Sequence, residues 1–165
     1  MGSAGRDLSI IAAVLVILGT FITSWILVGS LYYYGIGGFM NLIDVFTNPE
    51  VYAALTGAPT WFIYVVGIFM IWFLLSGLFL LLGAGSRGAA FMGCILPLII
   101  SIIIFMQGTF PDLFNYLIVY GTTDEIVPGV IPFNFALSGR PESIGTYLLL
   151  MGGIFGLLSL FSERD

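Results

Sequence analysis

The sequence predicts an all-α membrane protein: a four-transmembrane-helix bundle with two ordered outer loops, forming a single membrane domain over residues 1–165. Composition is the first reason. Of the 165 residues, 59% are hydrophobic and 8% are charged, whereas about a quarter of the residues in a soluble domain are charged. Four basic and nine acidic side chains cannot give a folded chain of this length a polar surface, so much of its apolar surface must face lipid.

The second reason is the presence of four long apolar stretches. A helix needs roughly 20 apolar residues to cross the hydrocarbon core. The stretches cover approximately residues 8–27, 61–82, 89–106 and 144–161, and none of them contains Asp, Glu, Lys or Arg. Because lipid cannot satisfy backbone groups, each stretch is expected to be a helix that closes its own hydrogen bonds. A cleaved signal peptide is the alternative for the first stretch, but the apolar run is long and no small-x-small site follows Trp25.

The arginines predict the orientation of these spans, because Lys and Arg are retained on the cytoplasmic side. Three of them, Arg6, Arg87 and Arg164, fall on one side, and Arg140 alone falls on the other. We therefore expect a multi-pass protein of the cell membrane with both termini in the cytoplasm. The outer loops are then residues 28–60 and 107–143.

Small residues predict how the spans pack, since helix association in lipid depends on close backbone approach. The predicted helix-packing positions are Gly152 and Gly156, which form a Gly-x-x-x-Gly pair, together with Gly19 and Gly93. They serve either the packing of one bundle or, at Gly152 and Gly156, a homodimer. Pro97 lies inside the third span, where it removes a backbone donor and predicts a kink.

The outer loops are apolar enough to be ordered. Residues 39–46 have the pattern of a short amphipathic helix, and Asn48 and Pro49 then supply an N-cap and a first-turn proline for a second one. A further helix is predicted over residues 111–120. Residues 28–34 and 126–133 have β character and are predicted to pair as a small hairpin or sheet.

Aromatic residues gather near the outer ends of the spans. An interfacial belt explains them, because amphipathic rings favour the headgroup layer. The alternative is an outer interaction surface for a partner, and the residues proposed for it are Tyr32, Tyr33, Tyr34, Phe114, Tyr116 and Tyr120.

The residues that carry most enzyme chemistry are missing. The chain has no histidine and a single cysteine, Cys94, and its spans hold no ionisable side chain of the kind that marks ion pathways. The net charge of −5 argues against binding nucleic acid. The outer acidic pair Asp124 and Glu125 lacks any known ligand spacing. We expect no catalytic residue, no metal and no cofactor.

The segments Ala12-Ala-Val-Leu-Val-Ile-Leu-Gly-Thr-Phe-Ile-Thr-Ser-Trp25 and Gly145-Thr-Tyr-Leu-Leu-Leu-Met-Gly-Gly-Ile-Phe-Gly156 resemble small prokaryotic four-helix (tetraspan) membrane proteins of uncharacterised function, whose outline is similar to the claudin-type layout. The paired outer cysteines and the Trp-x-x-Trp cluster of claudins are missing from residues 28–60, as is the Cys-Cys-Gly signature of tetraspanins. No functional residue is therefore carried over from the resemblance.

These observations predict a non-catalytic, structural membrane protein that acts by lateral or outer-loop association with itself or with other membrane proteins. The runner-up is an accessory subunit of a respiratory or transport complex. A third hypothesis is a lipid-modifying or small-molecule-permeating protein, for which Gln107, Asn115 and Thr23 are the polar candidates to line a cavity.

Overall fold

The structure is a computed structural model that describes residues 4–28, 31–33, 35–120, 132–133, 135 and 142–163. Within these residues the chain is mostly helical and has little strand. The helices are α1 (Ala4–Phe21), α2 (Ile36–Met40), α3 (Leu42–Thr47), α4 (Pro49–Thr56), α5 (Thr60–Leu74), α6 (Ser76–Leu82), α7 (Arg87–Phe105), α8 (Pro111–Tyr120) and α9 (Ile144–Phe161). The strands are β1 (Ile26–Val28) and β2 (Leu31–Tyr33).

Four helices, α1, α6, α7 and α9, pack into a bundle. The backbone N–H of Gly5 donates to the carbonyl of Glu163 at 3.0 Å, so the start of α1 meets the end of α9. The hydroxyl of Ser9 donates to the carbonyl of Leu80 at 2.6 Å, just before the turn between α6 and α7. Both helix ends and this turn therefore lie at one end of the bundle.

Three helices among the described residues are long and apolar enough to cross a membrane: α1, α7 and α9. Helices α4 and α5 pass the same test only as a pair, and they are bent by 102° where Gly57 adopts a left-handed conformation with φ of 70°. Between α5 and α6, only Leu75 intervenes. Its N–H donates to the carbonyl of Ile71 at 3.1 Å and its own carbonyl accepts from Phe79 at 2.9 Å, so helical hydrogen bonding continues across the break.

The first predicted span is too long at its outer end, because α1 stops at Phe21 and not at residue 27. The Trp25 indole N–H donates to the carbonyl of Gly19 at 2.6 Å, and the Thr23 hydroxyl donates to the carbonyl of Leu18 at 3.2 Å. The Trp25 donor supplies a partner for a carbonyl of the last helical turn, whereas the Leu18 carbonyl also accepts the backbone N–H groups of Ile22 and Thr23. The chain then continues as β1.

A small hairpin is present, but with other boundaries than those predicted. Strand β1 pairs antiparallel with β2, with Ile26 opposite Tyr33. Residues 126–131, and with them the predicted pairing with residues 28–34, lie outside the described part of the chain. Phe133 forms a parallel bridge with Thr23, which brings the second outer loop beside the end of α1.

The helix predicted over residues 39–46 is divided at Asn41 into α2 and α3, and the other two predicted outer helices are α4 and α8. Asn48 occupies the N-cap position of α4 and Pro49 its first turn, as the sequence predicts. The Asn48 side chain does not cap the helix, however: its amide nitrogen donates to Asp44 Oδ1 at 2.6 Å instead.

The buried and the exposed side chains of the bundle differ in a way that suits a lipid environment. With the exception of Glu142, the buried polar side chains among the described residues are serines and threonines, whereas α1, α5, α6, α7 and α9 expose large apolar side chains. One buried cluster centres on Trp25, Phe73 and Leu149 within the bundle. A second, the outer core, consists of Val45, Tyr52, Ile63 and Tyr120.

Candidate interaction surface

The aromatic residues predicted to form an outer surface are largely packing residues. Tyr33 and Phe114 are half-buried against the cluster within the bundle. Tyr116 is also half-buried, with its ring centroid 5.4 Å from that of Phe62. Tyr34 and the side chain of Tyr32 lie outside the described part of the chain.

Tyr120 contradicts the predicted surface outright, because it is 2% exposed. Its ring stacks on that of Tyr52, with centroids 5.4 Å apart and planes 20° from parallel. Because α8 packs against α4, Tyr120 points toward Tyr52 and its ring closes the outer core. Tyr120 is therefore a core residue and is removed from the set of surface candidates.

The outer core also holds an uncharged tyrosine pair. The Tyr52 hydroxyl donates to Asp44 Oδ2 at 3.0 Å. Burial, reinforced by the Asp44 hydrogen bond and charge, raises the pKa of Tyr52 to about 12. Burial, followed by the neighbouring Tyr52 and Tyr116 hydroxyls, raises the pKa of Tyr120 to about 12 as well. Both phenols stay neutral near pH 7, which suits a packed layer.

The large apolar side chains that α2, α3 and α4 expose lie elsewhere. They are Phe39, Met40, Ile43, Val51 and Leu55, and we call them the outer apolar surface. Ile43 and Leu55 are 76% and 67% exposed. A signal for them was present in the sequence, because residues 51 and 55 share one helical face and residues 39, 40 and 43 share another. The aromatic-belt interpretation drew attention to the tyrosines instead.

Buried neighbours hold this surface in place. On α3, Val45 is 1% exposed while Ile43 points outward; on α4, Tyr52 is buried between the exposed Val51 and Leu55. The hydrogen bonds that Asp44 accepts from Tyr52 and Asn48 connect the two short helices. The outer apolar surface is thus carried by a packed layer.

The layer lies along the side of α5. A Cβ placed on Gly67 would come within 2.9 Å of the Phe46 ring, and the Met70 methyl group fills the space beside Gly38. Gly67 is seven residues beyond Thr60, which corresponds to about 10 Å along a helix. Helices α2 and α3 therefore flank α5 two to three turns beyond its first residue.

A polar cleft borders the outer apolar surface where α3 meets α4. Its volume is about 390 Å³, and its lining includes Thr47, Asn48, Glu50, Val51 and Tyr64. Protein interfaces commonly combine an apolar centre with a polar rim. The outer apolar surface and the polar cleft beside it have this composition.

The predicted packing glycines all contact other helices of the same chain. A Cβ on Gly152 would lie 2.7 Å from Val16 Cγ2 in α1, and one on Gly156 would lie 2.6 Å from Cys94 Cβ in α7. One on Gly19 would lie 3.2 Å from the carbonyl oxygen of Gly145. The Gly152 and Gly156 face is therefore filled within the monomer.

The fourth packing glycine and the predicted kink both lie in α7. A Cβ on Gly93 would lie 2.7 Å from the backbone nitrogen of Leu80. Helix α7 runs through the buried Pro97 as one element, and the kink there stays a prediction.

The remaining polar candidates do not form an evident site. Thr23 is buried with its hydroxyl on the Leu18 carbonyl, Gln107 is half-buried after α7, and Asn115 is exposed on α8. Among the described residues no three His, Cys, Asp or Glu side chains are grouped closely enough to share a metal ion. No protein-family model, no curated protein and no solved structure matches this chain.

Proposed function

We propose that the chain spans the membrane four times, with α5 and α6 together forming the fourth span. Supporting this, one face of α5–α6 exposes an unbroken apolar stripe with alternating three- and four-residue spacing: Trp61, Tyr64, Ile68, Ile71, Leu75, Leu78 and Leu82. From Trp61 to Leu82 a helix rises about 31 Å. The hydrocarbon core is about 30 Å thick.

Both termini and the α6–α7 turn face the cytoplasm in this proposal. Arg6 and Arg87 lie at the end of the bundle where Gly5 meets Glu163, and positive charge is retained inside. Single cysteines at Gly85, Glu163 and Glu50, introduced in a Cys94→Ser background, test it. A membrane-impermeant maleimide should label Glu50→Cys in intact cells and the other two only after permeabilisation. Labelling of Gly85→Cys and Glu163→Cys from opposite faces would exclude four spans.

The protein's function, we propose, is association without catalysis: the outer apolar surface docks laterally onto another membrane protein or onto a second copy. The observation that carries this proposal is the ordered layer that presents five large apolar side chains outward. Because this layer lies beside Gly67 and Met70 of α5, docking there gains packing contacts with a partner and not a transfer out of water.

Purification from the native membrane in a mild detergent tests the association. The wild-type chain should migrate as an assembly larger than a monomer. The double variant Ile43→Glu/Leu55→Glu should migrate alone, since two buried carboxylates oppose docking. Leu113→Glu is the matched control, because Leu113 is also an exposed apolar residue of an outer helix but lies on α8. A monomeric wild-type chain would refute the proposal.

Mass spectrometry of the co-migrating proteins then separates the two forms of the hypothesis. Only this chain in the assembly indicates self-association. Subunits of a respiratory or transport complex indicate an accessory subunit, for which the same surface supplies the contact.

A further inference from the structure

The polar cleft where α3 meets α4 also reaches α5. Tyr64 of α5 lines it together with Thr47, Asn48 and Glu50. Tyr64 also belongs to the apolar stripe that α5 and α6 expose, and it is 40% exposed. The cleft is therefore continuous with the face of the fourth span that meets lipid in the proposed function.

The side-chain donors of α3 and the α3–α4 junction in this cleft are already engaged within the chain. The Asn48 amide nitrogen donates to Asp44 Oδ1 at 2.6 Å and to the Thr47 hydroxyl at 3.4 Å. The Thr47 hydroxyl donates in turn to the carbonyl of Ile43 at 3.0 Å. These bonds use both amide protons of Asn48 and the single hydroxyl proton of Thr47.

The acceptors of the same cleft remain open. Neither the Glu50 carboxylate nor the side-chain oxygen of Asn48 accepts a hydrogen bond from any residue that the structure describes. Residues 28–60 contain no Lys or Arg, so no basic side chain of this loop neutralises Glu50. An ionised carboxylate accepts hydrogen bonds and donates none. The open groups therefore favour a cation that donates hydrogen bonds.

A primary ammonium group suits these acceptors better than other cations do. It has three N–H donors, whereas a quaternary ammonium has none and is bound by cages of several aromatic rings. Of the described residues that line the cleft, Tyr64 alone is aromatic. A divalent metal ion would need further ligands, and the described part of the chain groups no three His, Cys, Asp or Glu side chains.

The depth of the cleft identifies the source of the ammonium group. Tyr64 lies four residues beyond Thr60, which corresponds to about 6 Å along α5. In the four-span arrangement this is the outer boundary of the hydrocarbon core, where aromatic rings meet the lipid headgroups. The inference therefore rests on the span assignment of the proposed function, and it does not depend on a docked partner.

We propose that this cleft binds the headgroup of an outer-leaflet phosphatidylethanolamine. The ammonium group donates to the Glu50 carboxylate, with the side-chain oxygen of Asn48 as a second acceptor. The acyl chains of the lipid lie along the exposed stripe of α5, which begins beside Tyr64. The bound lipid then forms part of the polar rim of the outer apolar surface.

Native mass spectrometry of the chain purified alone in detergent tests the site. The chain is incubated with equal amounts of phosphatidylethanolamine and phosphatidylcholine that carry the same acyl chains. We expect the wild-type chain to retain phosphatidylethanolamine at least about tenfold more often, because only this headgroup donates hydrogen bonds to the carboxylate.

Two amide variants make the test specific. Glu50→Gln removes the charge that attracts the ammonium group and should abolish the preference. Asp112→Asn is the matched control and should keep it, because both residues are exposed acids in the first turn of an outer helix but Asp112 lies on α8 and does not line the cleft. Equal unfolding midpoints of the two variants verify that both are folded.

Three outcomes would overturn the inference. The first is equal retention of the two lipids by the wild-type chain, and the second is an equal loss of preference in both variants. The third is displacement of the lipid by free ethanolamine at the same concentration, which would assign the cleft to a soluble amine. Because no partner is present, the test fails independently of the association experiment, and the maleimide labelling reports separately on the spans.

Discussion

The ring of Trp25 meets the ring of Phe73 edge-on, with centroids 5.2 Å apart and planes at 85°. Trp25 follows the end of α1, and Phe73 lies near the end of α5. The Trp25 indole N–H meanwhile donates to the carbonyl of Gly19 at 2.6 Å. One side chain thus contacts the end of α1 and attaches the following segment to α5.

We expect Trp25→Ala to destabilise the bundle by about 3–5 kcal/mol, the usual cost of removing a buried large aromatic residue. Trp61→Ala is the control, because Trp61 is 65% exposed and should change stability by under about 1 kcal/mol. Unfolding in mixed micelles of detergent and denaturing surfactant measures the difference. Equal losses for the two tryptophans would contradict the role assigned to Trp25.

Gly93→Ala should destabilise the contact between α6 and α7 by about 1–3 kcal/mol, as overpacking does. The added methyl would lie 2.7 Å from both the Leu80 nitrogen and the Ser76 carbonyl oxygen, and backbone atoms cannot move aside cheaply. Gly88→Ala in the same helix is the control, since its methyl would meet only Ser86 Oγ at 3.8 Å. The unfolding midpoints of the two variants should differ clearly. Equal midpoints would contradict the close approach of Gly93 to the backbone of α6.

Gly152→Ala should lower stability without changing the oligomeric state. The new methyl would lie 2.7 Å from Val16 Cγ2 and 3.0 Å from the Ala12 carbonyl oxygen, both in the same chain. Mass determination in detergent and the unfolding midpoint are measured together. Loss of a dimer with an unchanged midpoint would instead favour the homodimer alternative for this Gly-x-x-x-Gly pair.

The outer core should weaken between about pH 10 and pH 12. Burial raises the pKa of Tyr52 and of Tyr120 from 10.0 to about 12, so the folded chain holds these protons more tightly than the unfolded chain does. The resulting stabilisation is complete below pH 10 and is lost as the pH rises through 12. Tyrosinate absorbance should show two late-titrating phenols, and Tyr52→Phe should remove one of them. Titration of every tyrosine together would contradict the buried pair.

Local sequence patterns predicted the bounds of α7 and α9 and the start of α4. The predicted stretch 144–161 coincides with α9, and residues 89–106 nearly coincide with α7, because their apolar runs end at polar or turn-forming residues. The N-cap position and first turn of α4 followed from Asn48 and Pro49. The hydrogen bond of the Asn48 side chain was not predicted: Asn48 also ends α3, and its amide donates back to Asp44, four residues earlier, instead of capping α4.

The first helix shows why an apolar run is insufficient. Ile26 and Leu27 are as apolar as the residues before Phe21, so hydropathy continued the span through them. Pairing with Tyr33 and Tyr32, and the Trp25 hydrogen bond to Gly19, ended the helix earlier. Likewise Tyr120 was predicted at the surface, but stacking on Tyr52 buries it.

The amino-acid sequence by itself determined the solvent and the building blocks: a chain with so few charges and such long apolar runs forms helices suited to lipid. Tertiary structure alone decided which apolar side chains are covered, where α1 ends, and that a polar cleft lies where α3 meets α4. The physical reason is that hydrophobicity has no direction. It drives residues out of water, and only the fit of one surface against another selects the neighbour.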